Sequence, residues 1–246
     1  MSDDTGELGR TYTTRRRVRL GDVRIDGTLR LDALARYAQD IATDESDDSG
    51  ITDETGFWVA RRAVMELSAD VRLGTVVELT TWCGGSGPRW AERRTRVAHD
   101  RGVVAEIRAV WVRVDRTTGA PRPVPDRFHE VYGPLSRRRV RARLEHPSPD
   151  QAGESRSWAL RATDFDVLGH VNNAVYWAPV EDALAAAAPE AATVTGRPAV
   201  RRAEMEYRGG VDPGDDVRLV FGIGDPTRVW FTVGGEVRAS AAFWAD

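Results

Sequence analysis

One stretch of the chain gathers residue types suited to attack on a carbonyl: Asp164-Phe-Asp166-Val-Leu-Gly169-His170-Val-Asn172-Asn173-Ala-Val-Tyr176. Hydrolysis of an ester or thioester needs a base or nucleophile on one side of the carbonyl and donors for the developing oxyanion on the other. Asp166 is the candidate base or nucleophile, and backbone amides around Gly169 and His170 are candidate oxyanion donors. Asn172 is a candidate for orienting water or substrate. Gly169 permits a turn or a close approach that a side chain would block. Asn172 or Asn173 can cap a following helix, whose unpaired first-turn amides would then face the loop. A plainer reading competes: Asp164 and Asp166 only cap the turn and His170 packs against a sheet. An isolated Asp-x-Asp would favour it.

The elements around this loop occur twice. Arg19, Asp22 and Gly27 match Arg161, Asp164 and Gly169 at a displacement of 142, as 161 − 19, 164 − 22 and 169 − 27 show. Arg62-Ala63-x-Met65-Glu66 recurs as Arg202-Ala203-x-Met205-Glu206, and Gly74 as Gly214, displaced by 140. Three matches in order at nearly one displacement indicate duplication. The chain is therefore divided into an N-terminal unit over residues 12–132, a Pro- and Arg-containing linker over 133–156, and a C-terminal unit over 157–246. Copy one lacks the chemistry, with Arg24 at the place of Asp166 and Thr28 at that of His170.

Each copy reads as a short strand, a loop, a helix and a run of strands. In copy one, Leu31, Leu34, Ala38, Ile41 and Ala42 form an apolar stripe that predicts a helix from Leu31 to Thr43. Strands are expected at Thr13–Leu20, Ala63–Leu67, Val76–Cys83, Arg89–His99 and Val103–Val114. In copy two a helix is expected over Asn173–Ala188, with a kink or a short first segment forced by Pro179. Strands are expected there at Ser157–Thr163, Val200–Arg208, Asp216–Gly222, Arg228–Val233 and Glu236–Trp244. The fold class is α+β, each unit an antiparallel sheet wrapped around a long helix, a hotdog.

Bulk properties narrow the function classes. A formal charge of −3 gives no global attraction to nucleic acid. The one cysteine, Cys83, excludes an intrachain disulfide and the four-thiolate and two-Cys-two-His zinc patterns, and it reads as buried packing in a cytoplasmic protein. The acidic, polar N-terminus is unlike a signal peptide. No apolar run reaches the ~20 residues that span a bilayer.

The run DFDVLGHVNNAVYW resembles the D-x-D-x-x-G-H-V-N-N-x-x-Y signature of hotdog thioesterases, and residues 56–94 and the EMEYR segment from Glu204 resemble the acyl-ACP thioesterase family. That resemblance implies a tandem double hotdog and hydrolysis of fatty acyl-ACP or acyl-CoA without metal or other cofactor. It places Asp166 and His170 on the family's catalytic aspartate and histidine, and Asn172 and Asn173 on its paired asparagines. Leu168 stands where plant-type members carry a catalytic asparagine, and Gly210 and Val211 stand where they carry a glutamate-cysteine pair. Phe57, Trp58 and Tyr176 are candidates for the acyl tunnel. Glu181 and Asp182 read as a solvated face, and Arg137, Arg138, Arg139 and Arg141 either attract an acidic carrier protein or keep the linker soluble. A monomer containing its own pseudo-dimer and a homodimer are both open. Competing functions are a hotdog dehydratase or hydratase, whose separate His/Asp pair is not evident, and a non-catalytic acyl-thioester binder, against which Asp166 argues.

Overall fold

The computed structural model describes residues 9–51, 56–149, 154–187, 200–222 and 224–245. Residues 1–8 and the expected helix end at Ala188 lie outside these. The apolar and alternating runs become ten strands: β1 Thr11–Arg17, β2 Gly56–Leu67, β3 Val76–Ser86, β4 Trp90–His99, β5 Gly102–Asp115, β6 Glu154–Ser157, β7 Val200–Tyr207, β8 Val217–Gly222, β9 Thr227–Val233 and β10 Glu236–Ala245. They hydrogen-bond into a single antiparallel sheet of order β1-β3-β4-β5-β2-β7-β10-β9-β8-β6. Read outward from the centre, the two halves follow the same path, β2-β5-β4-β3-β1 on one side and β7-β10-β9-β8-β6 on the other.

The two halves meet where β2 pairs with β7, with Arg62 opposite Glu206, Val64 opposite Glu204 and Glu66 opposite Arg202. Because 202 − 62 and 206 − 66 both equal 140, the repeat displacement carries the Arg62–Glu206 pair onto the Arg202–Glu66 pair. The seam thus has a local two-fold relation centred on Val64 and Glu204, and the duplication noted in the sequence is built into one register.

Helix α1 spans Leu31–Ser49 and ends at Gly50, whose left-handed φ of 64° closes the last turn. Leu31, Leu34, Tyr37 and Ile41 are buried along one side and join Val77, Leu79 and Val97 in the main core. Each such side chain contributes about 1.5–3 kcal/mol by leaving water. Helix α3, Trp177–Ala187, buries Trp177, Val180 and Leu184 in that same core. It begins four residues later than the sequence suggests. Asn173–Tyr176 form tight turns instead, with Val175 N–H donating to Asn172 O and Trp177 N–H to Ala174 O. Pro179 therefore falls at the third helical position, where its missing N–H has no intrahelical acceptor to lose. A short helix α2, Asp126–Tyr132, closes the end of the N-terminal half.

The segment expected as a linker is bound along the sheet. After a 3-10 turn at Pro134–Arg137 it runs extended across the outer face of the sheet, accepting hydrogen bonds from Trp90 Nε1 at Val140 O (3.0 Å) and from Trp230 Nε1 at Pro147 O (2.8 Å). Its last residues enter β6, which displaces the strand expected at Ser157–Thr163. A 3-10 turn at Ala162–Asp164, capped by Asp164, occupies that stretch. The strap covers the seam carboxylates: Glu206, fully buried, accepts the N–H of His146 at 3.1 Å. Glu204 is buried beside Arg62 (2.6 Å), Arg202 and His146 (3.7 Å).

Burial alone would raise the pKa of Glu204, but the nearby His146 ring and the hydrogen bonds from Arg62 and Arg202 outweigh it and hold the group at about 2 instead of 4.5. A depressed carboxylate contributes stability that is complete above its unfolded pKa and is lost as pH falls through the folded one. Melting temperature should therefore fall between about pH 4.5 and about pH 2, and Glu204→Gln should flatten that part of a thermal-denaturation pH series.

Candidate active site

Asp166 sits in the turn between the capped 3-10 segment and the Asn172 turn. Its backbone N–H donates to His170 O (3.0 Å), and its carbonyl accepts the Gly169 N–H (3.0 Å), closing a tight loop in which Gly169 takes φ +81°. Its carboxylate is held by neutral donors: Leu168 N–H to Oδ1 at 2.9 Å and Asn172 Nδ2 to Oδ2 at 3.2 Å. None of the ion pairs among the described residues involves it. Each oxygen keeps a free lone pair, and no cation competes for them, which suits a group that takes a proton from water.

Two cavities meet at this carboxylate. One, of about 350 Å³, runs into the N-terminal half between α1, the strands and α2, lined mainly by apolar side chains such as Ala42, Trp58, Ala91, Trp111 and Phe128, with Gln39, Glu92 and Arg93 among its polar members. The other is an open cleft of about 950 Å³ that Asp166 shares with His170, Asn173, Arg61, Arg89 and Arg208. Trp58, Asp166, Leu168 and Asn173 line both, so the aspartate stands at the junction of a mainly apolar chamber and a cleft that carries several arginines. Burial, with Arg208 nearby, lowers the pKa of Arg61 below its usual value.

The equivalent place in the other half is closed. Arg24, at the position of Asp166, makes two hydrogen bonds to Glu181, at 2.6 and 2.7 Å, and the same carboxylate caps α1 through Leu31 N–H at 2.6 Å. Glu181 is buried rather than on a solvated face, which corrects the expectation for it. The interior of the C-terminal half is filled by aromatic rings, with Tyr176 against Trp158, Tyr207 and Phe231 at centroid separations of 5.8, 5.6 and 5.2 Å. Arg24→Ala would remove the cation that makes two short hydrogen bonds to the buried Glu181, and chemical denaturation should report a loss of about 3 kcal/mol.

The predicted site residues separate into groups. Asp166, His170, Asn172 and Gly169 share the loop. Phe57, Trp58 and Tyr176 border the cleft, and of these only Trp58 also lines the chamber. Tyr176 is itself a core residue, 2% exposed. The expectation that a helix N-terminus points amides at the loop is corrected: α3 starts at Trp177, and Asn172 Oδ1 caps Ala174 N–H within a turn. The Gly169 amide is already engaged by Asp166 O and is unavailable to an oxyanion, whereas the His170 N–H has no acceptor among the described residues. The His170 ring pairs through Nδ1 with Asp212 Oδ1 at 2.6 Å. Asp164 has a capping role, accepting Arg161 N–H at 2.8 Å. Val211, where a cysteine nucleophile would stand, is fully buried, and Cys83 is buried with its thiol pushed up to about 11 by burial. Sequence reasoning missed Gln39, Ala91, Trp111 and Phe128 of the chamber. The row Ala35, Ala38, Ala42 on α1 was the available signal, since small residues at helical spacing leave space beside a sheet.

Comparison with known proteins agrees with this architecture. Residues 9–132 match the acyl-ACP thioesterase N-terminal domain, and residues 148–230 match the acyl-ACP thioesterase C-terminal domain. An uncharacterized protein of Mycobacterium tuberculosis is 28% identical over 235 residues, covering 95% of this chain and 91% of that one. Among solved structures, the 12:0-ACP thioesterase from Umbellularia californica superposes with a TM-score of 0.80 at 19% identity, covering 96% of this chain and 98% of that one. An acyl-ACP thioesterase from Bacteroides thetaiotaomicron does so with a TM-score of 0.82 at 17% identity and the same coverage. With the two family domains matched in order along most of its length, this chain belongs to the acyl-ACP thioesterase family.

Proposed function

We propose that the chain is a tandem double hotdog that hydrolyses an acyl thioester of phosphopantetheine, carried on an acyl carrier protein or on CoA, to a free fatty acid and a thiol. The observation that carries this reading is the position of Asp166 at the junction of a mainly apolar chamber and a cleft that carries several arginines. The acyl chain enters the chamber of the N-terminal half, the pantetheine arm lies in the cleft, and the thioester carbonyl is left at the aspartate. Asp166 takes a proton from water as the water oxygen bonds to the carbonyl carbon. The His170 N–H receives the oxyanion. The C–S bond then breaks, and the departing thiolate takes up a proton. Membership of the family supports this chemistry, and the unpaired carboxylate suits it.

The test is thiol release from a panel of acyl-CoA and acyl-ACP substrates of graded chain length. Release above the uncatalysed rate on either carrier supports the reading. Tight acyl-thioester binding without release would make the chain a binder instead. Arg89→Glu should raise KM by up to about fivefold with kcat nearly unchanged, the scale of an exposed ion pair. That increase should shrink as salt is added.

A further inference from the structure

We infer that Asp212 is a positioning residue for His170, fixing which ring nitrogen faces the reaction; the inference rests on the thioesterase reading and adds a residue to it. Three features hold the imidazole. Its Nδ1 lies 2.6 Å from Asp212 Oδ1. The ring lies flat over Gly210, where a Cβ would come within 2.8 Å of Nδ1 and 3.0 Å of Cγ. The backbones on either side are tied by Val171 N–H to Val211 O at 3.0 Å. Asp212 is itself fixed by a turn in which its N–H donates to Asp215 Oδ2 at 2.8 Å and Asp215 N–H to Asp212 O at 3.1 Å.

The duplicated half supplies an internal control. There Leu29 N–H donates to Val71 O at 2.8 Å and Thr75 N–H to Arg72 O at 3.1 Å, the same two bonds displaced by 142 or 140. Gly74 and Gly214 share a left-handed φ, 84° and 94°. The backbone is thus the same in both halves, yet the places of His170, Asp212 and Gly210 hold Thr28, Arg72 and Asp70. The fold does not require the trio. It stands only in the half that carries Asp166.

Both members are more than half exposed, His170 at 53% and Asp212 at 62% of the side chain. An ion pair so exposed contributes about 0–1 kcal/mol, so stability does not account for it either. With an Asp acceptor at Nδ1, the neutral ring carries its proton there and presents Nε2 as the acceptor. Nε2 has no partner among the described residues, and His170 borders the cleft with Asp166. The other charged groups around the ring are Asp166 and Asp215, with Arg61 and Arg208 along the cleft and Arg238 beside Gly209.

The experiment compares wild type, Asp212→Ala, Asp212→Glu, Gly210→Ala and His170→Ala by steady-state kinetics and by ¹⁵N NMR of the histidine rings at alkaline pH. His170→Ala identifies the His170 signal. Wild type should show His170 protonated at Nδ1. Asp212→Ala should shift the proton towards Nε2 and lower kcat about 100-fold at nearly unchanged KM, the scale of a misaligned catalytic group. Gly210→Ala, which pushes the ring off its seat, should lower kcat similarly, and Asp212→Glu should restore part of the loss. Wild-type Nδ1 without a proton, or an Asp212→Ala enzyme with wild-type kcat, overturns the inference. Should wild type release no thiol from any substrate, the thioesterase reading fails, and the tautomer alone still decides the role of Asp212.

Discussion

Asp166→Asn should lower thiol release by roughly 10³-fold, within the 10²–10⁴ range of positioned acid–base groups, while the protein stays folded. The substitution keeps the shape and removes the charge. Its side-chain oxygen can still accept Leu168 N–H, but its new NH₂ then faces the Asn172 NH₂, which donates to Oδ2 in the native loop. Asn172 can turn its amide to repair that contact, so the stability cost is about 1 kcal/mol. Because the native carboxylate has no ion pair among the described residues, its removal strands no buried cation. A melting temperature within a few degrees of wild type, measured beside the kinetics, separates lost chemistry from lost fold. Turnover near the wild-type rate in this variant would show that the base lies elsewhere.

The second large effect concerns the chamber. Ala42 lies on α1 and faces both the 350 Å³ chamber and a smaller neighbouring cavity of about 50 Å³. Ala42→Leu keeps a strong helix former while placing three more carbons in that space. Acyl chains long enough to pass Ala42 should lose kcat/KM by about 10–200-fold, the cost of a methylene-scale misfit in an apolar pocket, and shorter chains should be spared. A chain-length series of acyl thioesters on both proteins measures this directly. A uniform change at every length would mean that the acyl group does not occupy this half.

Much of this arrangement could be read from residues before any coordinates. The 140-residue displacement between Arg62-Ala63 and Arg202-Ala203 is visible in the register of β2 against β7, because the two-fold seam pairs Val64 with its own copy position, Glu204, and Arg62 with the copy of Glu66. Apart from the one expected at Ser157–Thr163, the strand runs from Val76 onward lie within three residues of the observed bounds, because they alternate or run apolar between turns such as those at Gly74 and Gly102. The first turn of α3 was misread because Asn172 and Asn173 fit a helix cap locally, whereas Pro179 and the 3-10 bonds at Val175 and Trp177 place the start later. Glu181 was misread for another reason: its partner, Arg24, is 157 residues away, and no local pattern reports a contact across the two halves. Asp212 escaped notice likewise, lying 42 residues from His170 in a turn that looks ordinary by composition.

A structure with an S-alkyl pantetheine, a thioether that cannot be hydrolysed, examines the central arrangement most directly. The alkyl tail should lie among Ala42, Trp111 and Phe128, the pantetheine arm beside Arg61 and Arg89, and the carbon next to sulfur within reach of a water held by Asp166. A tail lodged among Trp158, Tyr176 and Phe231 of the C-terminal half, or a sulfur far from that carboxylate, would contradict it.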